Sequence, residues 1–232
     1  MIRANTIRPD VGGGFYTAAE AARLLGMHST QRILRWLSPT SSGEPAVITR
    51  TYAKLGREHE LSFFDLLEVR FVEHFRSRHI SLQSLRLAAK NARRELGVTH
   101  PFATSSVKFQ SDRKQIFLET AEEAEDRVFL NLMTNQLAIY EFIEDSLARD
   151  LEFDVSGFAK AWKPAPGRAP DVIVSPVYAF GQPTVSARHL PTVTLFSSWE
   201  AEGGDYAAVA NWHSVTTDDV RQAVEFELRP LH

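Results

Sequence analysis

The chain has 232 residues, of which 44% are hydrophobic and 24% are charged, so it can bury a substantial core and is not a disordered tail. It contains no cysteine, which excludes disulfide bonds and cysteine-ligated metal centres and favours a cytoplasmic protein. No apolar run approaches the roughly 18 residues of a membrane span, and no apolar stretch follows the first arginines. We therefore expect neither a membrane segment nor a signal peptide.

Charge is distributed unevenly along the chain. Residues 1–115 carry 18 basic and 10 acidic side chains, a net charge of +8. Residues 116–232 carry 8 basic and 19 acidic side chains, a net charge of −11, although the formal net charge of the whole chain is only −3. The first half therefore suits a phosphate-rich partner, whereas the second half repels one. Charge alone leaves open the alternative that both surfaces only keep the chain in solution.

Two short helices joined by a glycine turn are predicted near the start of the chain. Thr17 and Glu20 have the spacing of a capping box, so we expect the first helix to begin at Thr17 and to end at Gly26. Ser29 or Thr30 can cap the second helix. A helix, a tight turn and a second helix form the helix-turn-helix pattern.

The second helix is predicted to have one apolar and one polar side. Its inward residues are Ile33, Leu34 and Leu37. Gln31, Arg32 and Arg35 lie off that stripe and face solvent or a ligand. Arginine and glutamine read guanine and adenine edges in the major groove, so this side of the helix is a candidate DNA-reading surface.

A basic β-hairpin is predicted next, because residues 46–52 are β-prone, Gly56 marks a bend and the chain returns through residues 57–61. Its basic side chains can lie along a DNA backbone beside the groove. They are Arg50, Lys54, Arg57 and His59.

Two amphipathic helices and a second hairpin are predicted to follow. Ser62 and Ser81 cap the helices, and Gly97 ends the second one. The first helix turns Phe64, Leu67, Phe71 and Phe75 inward, and the second turns Arg86, Lys90, Arg93 and Arg94 outward. Residues 105–119 are interpreted as a hairpin that turns at residues 111–113.

The order of these elements resembles the winged helix-turn-helix domain of MerR-type regulators. The stretches that carry the resemblance are FYTAAEAARLLGMHSTQRILRWL, the basic hairpin, LSFFDLLEVRFVEHFRSRHISLQSLRLAAKNARRELG and VKFQSDRKQIFLE, roughly residues 14–120. The resemblance implies a DNA-binding domain over residues 1–120, in which the helix from Ser29 to Leu37 reads bases and the hairpin contacts the backbone. The cysteines of the metal-sensing members are absent.

The predicted DNA-binding residues follow from this resemblance together with the chemistry of the side chains. The predicted base-reading residues are Ser29, Thr30, Gln31, Arg32 and Arg35, and the predicted phosphate contacts are Arg50, Lys54 and Arg57.

Residues 121–170 are predicted to connect two domains. Within them, residues 137–147 have the apolar spacing of a helix, residues 151–162 form two short strands with a turn at Gly157, and residues 163–170 form a proline-rich linker.

Residues 171–232 are predicted to form a small domain of three helices. The first begins at Pro191 and ends at Gly203-Gly204, Asp205 caps the second, and Thr216 with Asp219 caps the third. The inward residues of the last two helices are Tyr206, Val209, Trp212, Val220, Ala223, Val224 and Leu228. The predicted class is therefore mainly α with small β-hairpins (α+β), with an N-terminal winged helix-turn-helix domain and a small C-terminal three-helix domain.

The segment 171–228 resembles the antitoxin-associated domain of unknown function that recurs in VapB-like antitoxins. The family pattern of a proline, a glycine, G-x-P-x-V and a closing proline is matched by Pro176, Gly181, Pro183, Val185 and Pro191. The chain departs from it at Ser175 and at 187–189, where the family often has Asp and Gly-Thr-Arg. The resemblance implies an antitoxin of a type II toxin-antitoxin system, whose toxin would be a PIN-type metal-dependent ribonuclease.

The C-terminal domain is too acidic to be a second DNA reader. Residues 171–232 contain 3 basic and 8 acidic side chains, and the predicted third helix presents Asp218, Asp219, Glu225 and Glu227. Phosphates would repel that helix. We therefore expect this domain to dimerise or to bind a protein partner.

No enzyme motif is found in the sequence: G-x-S-x-G, a phosphate-binding loop and H-E-x-x-H are all missing. We therefore expect no catalytic residue, no metal site and no cofactor. His74 and His79 are five residues apart and lie on different faces of a helix, and the acidic run at 122–126 is interpreted as a solvated helix face. His189, His213 and Asp205 could ligate a metal only if the fold brings them together, and solvated histidines are the simpler interpretation.

The sequence thus predicts a cytoplasmic antitoxin that represses its own operon as a homodimer and neutralises a PIN-type ribonuclease. The operator half-sites would lie about 34 Å apart. The cations near the linker that can enter the toxin's carboxylate cluster are Lys160, Lys163 and Arg168. The alternative is a ligand-responsive MerR-like regulator without a toxin partner, with an aromatic pocket formed by Phe180, Phe196, Trp199, Trp212 and Phe226.

Overall fold

The computed structural model describes residues 13–52, 60–103, 109–135, 150–185 and 187–230, with side chains described for all of these except 109–114. These residues form mainly α-helices with small antiparallel β-pairs, which confirms the predicted α+β class. The chain divides into two units. The large unit is Tyr16–Trp162, and the small unit is Lys163–Arg229 together with residues 13–15.

The large unit begins with a strand and two short helices, β1 (Tyr16–Thr17), α1 (Ala18–Leu24) and α2 (Thr30–Trp36). The capping box at Thr17 is confirmed, because the Thr17 side chain accepts from the Glu20 amide and the Glu20 carboxylate accepts from the Thr17 amide. Gly26 follows α1 with a φ of +68°, which glycine adopts without strain. Ile33 and Leu37 are buried as predicted, and Trp36 is buried with them.

The predicted hairpin over residues 46–61 is not formed in the described part of that segment. Residues 46–52 contain no strand, and β2 (Glu60–Leu61) pairs antiparallel with β1 instead, with Tyr16 opposite Leu61. The reason is burial, because the adjacent residues Val47 and Ile48 are both buried, whereas a half-exposed strand would alternate. The predicted positions Lys54, Arg57 and His59 lie outside the described residues.

Two longer helices follow, α3 (Phe63–Ser77) and α4 (Leu82–Leu96), with the predicted caps. Ser62 and Asp65 form a reciprocal capping box at the start of α3, and the Ser81 hydroxyl accepts from the Ser84 amide at the start of α4. Gly97, with a φ of +66°, ends α4.

The predicted hairpin at residues 105–119 is wrong, because residues from Phe109 onward form helix α5 (Phe109–Glu123). The buried positions Ile116, Phe117, Thr120 and Ala121 recur at helical spacing, and this period outweighs the turn-forming residues at 111–113. The predicted domain boundary at residue 120 falls inside this helix.

A cluster of five buried phenylalanines forms the core of the large unit. The rings of Phe71 and Phe102 are stacked with centroids 3.9 Å apart, and Phe75 packs edge-on against Phe129 of α6 (Arg127–Thr134) at 5.8 Å. Phe117 contacts all four of these rings at 5.6–6.1 Å. Helices α3, α5 and α6 are therefore fixed to one another by aromatic packing.

The acidic run at the end of α5 contains one structural carboxylate. Glu122, Glu123 and Glu125 are exposed, as expected of a solvated face. Asp126 instead caps α6 through the Phe129 amide and accepts from the Ser84 hydroxyl of α4 at 2.6 Å. Partial burial raises the pKa of Asp126, but the hydrogen bonds outweigh it and hold the pKa below its ordinary value.

The large unit ends with the predicted strand pair, β3 (Leu151–Phe153) and β4 (Ala159–Trp162), with Leu151 opposite Trp162. The turn between them contains Gly157, whose φ is +82°. The helix predicted over residues 137–147 lies outside the described residues.

The small unit contains a three-stranded antiparallel arrangement and three helices. The strands are β5 (Ile173–Val174), β6 (Pro183–Val185) and β7 (Leu190–Pro191), and the helices are α7 (Thr192–Ala201), α8 (Tyr206–His213) and α9 (Thr217–Glu227). Asp205 caps α8, and Thr216 forms a capping box with Asp219 at the start of α9, as predicted.

Two residues predicted to face inward in the small unit are exposed. Trp212 is 71% exposed and Leu228 is 59% exposed. The predicted inward residues Val209 and Val220 are buried, and the core also contains Phe226 and residues of β5 and β6. Gln222 ties α9 to the start of the unit, because its side chain accepts from the Asp171 amide and donates to the Asp171 carboxylate, both at 2.8 Å.

Candidate nucleic-acid interface

Helix α2 presents an exposed polar side on a scaffold of buried residues. Gln31 and Arg35 are four residues apart, so they project from the same side of α2, and both are exposed. Within the described part of the chain, the Arg35 guanidinium has no ion-pair partner. Ser29 and Thr30 are half-buried at the start of α2, and the Ser29 hydroxyl makes no capping hydrogen bond. These groups are placed to contact a ligand that approaches α2 from solvent.

Arg32 differs from Arg35 because it is held against the protein. Its guanidinium lies 2.7 Å from the Glu73 carboxylate of α3 and 5.4 Å from the centroid of the Trp36 ring. The ion pair joins α2 to α3, whereas the contact with Trp36 lies within α2 and restrains the guanidinium there. To contact a base, Arg32 would have to give up its partner on α3. The structure therefore distinguishes two of the predicted base readers, which the sequence treats alike.

An open groove of about 440 Å³ lies between the end of α2 and residues 45–52. Its walls contain Leu37 and Ile48 on the apolar side and Arg50, Tyr52 and Arg93 on the polar side. Arg50, a predicted phosphate contact, is half-buried there. The other two predicted phosphate contacts, Lys54 and Arg57, lie outside the described residues, so the structure does not place them beside Arg50.

A network of polar side chains holds the segment that carries Arg50. The Asp65 carboxylate, which is fully buried, accepts from the Thr51 amide at 3.1 and 3.2 Å and from the Ser62 amide at 2.9 Å. The Thr51 hydroxyl is hydrogen-bonded to His100 Nε2 at 3.1 Å. The other ring nitrogen, Nδ1, lies 3.6 Å from Asp65.

Arg93 belongs to the same network, although the sequence places it on the outer face of α4. Its guanidinium donates to the Val47 carbonyl at 2.8 Å and to the Thr99 carbonyl at 3.2 Å, and it lies 3.6 Å from the buried Glu68 carboxylate. The prediction of an outward Arg93 is wrong because a buried carboxylate on α3 needs a cationic partner. Arg94, its neighbour, is exposed as predicted.

Burial sets the protonation of the titratable groups around this segment. Burial has the largest effect on His100 and lowers the pKa of its imidazole below the ordinary value. The Asp65 carboxylate raises this pKa by less than burial lowers it, and the nearby Arg93 lowers it further. Burial also raises the pKa of Tyr52, with Asp65 and Glu60 adding to the effect. Near neutral pH, His100 is therefore neutral and Tyr52 keeps its phenolic proton.

The predicted toxin-binding cations are divided between the two units. Lys160 lies on β4 of the large unit, where its ammonium group is 3.4 Å from the Glu152 carboxylate of β3. Lys163 and Arg168 belong to the small unit, where Lys163 is half-buried and Arg168 is exposed.

The predicted aromatic pocket of the alternative regulator is not formed by the small unit. Phe226 is fully buried in the core, whereas Phe180 is 88% exposed and Trp212 is largely exposed, so these rings do not line one cavity. His189 is stacked on Tyr178 and His213 is hydrogen-bonded to Ser198, so the two histidines have different partners. Among the described residues, no three His, Asp or Glu side chains form a group that could hold a metal ion.

In the described segments, every helix is too short or too polar to cross a membrane.

The chain resembles a protein of known structure in its fold. No protein family model matches the chain, and no curated protein matches it. The crystal structure of Rv2018 from Mycobacterium tuberculosis is similar, with a TM-score of 0.68 and 20% sequence identity over 90% of this chain and 96% of that chain. At this identity the likeness shows that the two chains share a fold.

We predict that His100 makes the stability of the protein fall as the pH drops below 7. Its pKa is lower in the folded than in the unfolded chain, so acidification protonates the unfolded state first and favours unfolding. Because His100 takes up at most one proton, the free energy of unfolding falls by at most about 1.4 kcal/mol per pH unit. Urea unfolding at pH 7.5 and 5.5 should show a smaller loss for His100→Gln than for the native chain. An equal loss in both proteins would contradict the assignment.

Proposed function

We propose that the large unit is a winged helix-turn-helix reader of DNA and that α2 enters the major groove. The observation that carries this proposal is the exposed pair Gln31 and Arg35 on one side of a short helix whose other side is buried. These side-chain types recognise adenine and guanine edges. The net charge of +8 over residues 1–115 supports the proposal, because phosphate contacts supply most of the affinity of such proteins.

Within this proposal, the predicted contacts have different roles. Arg35 and Gln31 read bases, Ser29 and Thr30 contact the edge of the site, and Arg50 contacts a phosphate. Arg32 orients α2 through its ion pair with Glu73 of α3. Positioning contacts and base contacts are distinct in protein–DNA complexes, because only the latter carry sequence information.

We further propose that the protein is the antitoxin of a type II toxin-antitoxin system and represses its own operon as a homodimer. The support is the resemblance of residues 171–228 to the antitoxin-associated domain, together with the acidity of the small unit. Asp218 and Glu225 are exposed on α9 and Asp219 is half-buried in its first turn, and these carboxylates would repel DNA. The small unit is therefore assigned to protein contacts, either with a second copy of the chain or with a ribonuclease toxin.

We predict that Arg35→Ala weakens binding to the operator by about 1–3 kcal/mol and relaxes the preference for one base pair. Its binding to random DNA should change little beyond the loss of one charge. Arg94→Ala is the matched control, because Arg94 is exposed on α4 and pairs with its neighbour Glu95. Fluorescence anisotropy on operator and random duplexes measures both effects. Equal losses on the two duplexes for Arg35→Ala would contradict base reading.

We predict that the chain co-purifies with the product of an adjacent reading frame and inhibits its magnesium-dependent ribonuclease activity. If basic side chains enter the carboxylate cluster of that nuclease, then changing Lys160, Lys163 and Arg168 together to alanine should abolish the inhibition. Arg221→Ala is a control, because Arg221 is paired with Asp218 on α9. Unchanged inhibition by the triple variant would remove these cations from the interface, and the absence of any ribonuclease partner would contradict the antitoxin assignment.

A further inference from the structure

We propose that Arg93 and Asp65 are positioning residues that fix residues 47–51 at two points and thereby set the place of Arg50 beside α2. The proposal rests on the DNA-binding function proposed above, because Arg50 is the phosphate contact that the two residues would position. Neither Arg93 nor Asp65 was among the residues that the sequence pointed to as functional.

The first point is the carbonyl of Val47. The Arg93 guanidinium donates to it at 2.8 Å, and the same guanidinium lies 3.6 Å from the buried Glu68 carboxylate. A further donation to the Thr99 carbonyl at 3.2 Å fixes the plane of the group. Arg93 therefore has its orientation set by three acceptors on different segments, and a planar fork with several donors suits this arrangement.

The second point is the backbone amide of Thr51, which donates to both oxygens of Asp65 at 3.1 and 3.2 Å. Asp65 is fixed in its turn, because it accepts from the Ser62 amide at the start of α3. Hydrogen bonds to an ionised carboxylate are stronger than bonds between neutral groups.

The two points lie on either side of Arg50. Residues 46–52 contain no strand, so a hydrogen-bonded ladder does not fix this segment. Its connection to α2 is the Ile48 amide, which donates to the Trp36 carbonyl at 3.2 Å. Arg93 also lines the same groove as Arg50. Contacts from α3 and α4 therefore define the position of a basic residue next to the end of the proposed reading helix.

The test uses the full chain with Arg93→Met combined with Glu68→Gln. Methionine keeps much of the bulk of arginine. Without Arg93, the buried Glu68 carboxylate would lose its cationic partner, so Glu68 is changed to a neutral glutamine. The glutamine side chain can still accept a hydrogen bond from the Phe102 amide. Glu68→Gln alone and Arg94→Met are the matched controls, because Arg94→Met removes the same charge from the neighbouring exposed position. Circular dichroism and thermal unfolding establish that each variant is folded.

Two measurements are made on each variant. Hydrogen exchange followed by mass spectrometry reports the protection of the amides of residues 47–52. The dependence of affinity for a random duplex on salt concentration counts phosphate contacts, because each lost contact lowers the slope by about one. Arg50→Ala is measured alone and together with the Arg93 and Glu68 substitutions.

We expect faster exchange at residues 47–52 in the Arg93→Met/Glu68→Gln variant and a salt slope lowered by as much as in Arg50→Ala, with no further decrease when the substitutions are combined. Both controls should keep native exchange, and Arg94→Met should keep the native slope. Native exchange in the Arg93→Met/Glu68→Gln variant, or faster exchange with an additive loss of slope, would overturn the proposal. A native slope in Arg50→Ala would instead refute the phosphate role of Arg50. The hydrogen-exchange data would then test by themselves whether the two contacts fix residues 47–51.

Discussion

The burial of two carboxylates on α3 is the constraint on which the large unit depends. Asp65 and Glu68 are fully buried, and each must be compensated by donors from other segments. The Asp65 carboxylate accepts hydrogen bonds from the Ser62 and Thr51 amides. The Glu68 carboxylate forms an ion pair with Arg93 and accepts a hydrogen bond from the Phe102 amide. Removing one partner of a buried ion pair costs about 3–5 kcal/mol, so these contacts specify where the segment after α2 and the segment after α4 lie. The aromatic cluster around Phe117 supplies the apolar part of the same core.

This arrangement separates the residues that hold α2, the proposed reading helix, from the exposed residues on its polar side. Arg32 and Arg93 each interact with a carboxylate of α3, whereas Gln31 and Arg35 extend into solvent. Residues 1–115 carry a net charge of +8 and residues 116–232 one of −11, and residues 163–229 of the small unit lie in the acidic part of the chain. The last helix of the small unit carries exposed acidic residues and is fixed internally by Gln222 and Asp171. This difference in charge supports the proposal that the first part of the chain binds DNA and that the small unit binds protein.

Local signals in the sequence were sufficient for most helices, because caps act within three or four residues. The boxes at Thr17 and Thr216 and the end of α4 at Gly97 are found where the sequence predicts them. The predictions fail where residues that are distant in the sequence determine the local structure. The hairpin at 105–119 is wrong because helix α5 buries Phe117 in a core that includes Phe71 and Phe102. Arg93 was predicted outward because its partner, Glu68, comes from another helix, and the exposure of Trp212 has no local signal in α8.

The most direct test of the central claim is to locate each unit on bound operator DNA. Because the chain has no cysteine, a single cysteine at His28 or at Glu225, both exposed, is a unique site for an iron chelate that cleaves nearby DNA. We predict that the chelate at position 28, just before α2, cuts the operator in two clusters about one helical turn apart, and that the chelate at position 225 on α9 does not cut. Cleavage from position 225 without cleavage from position 28 would contradict it.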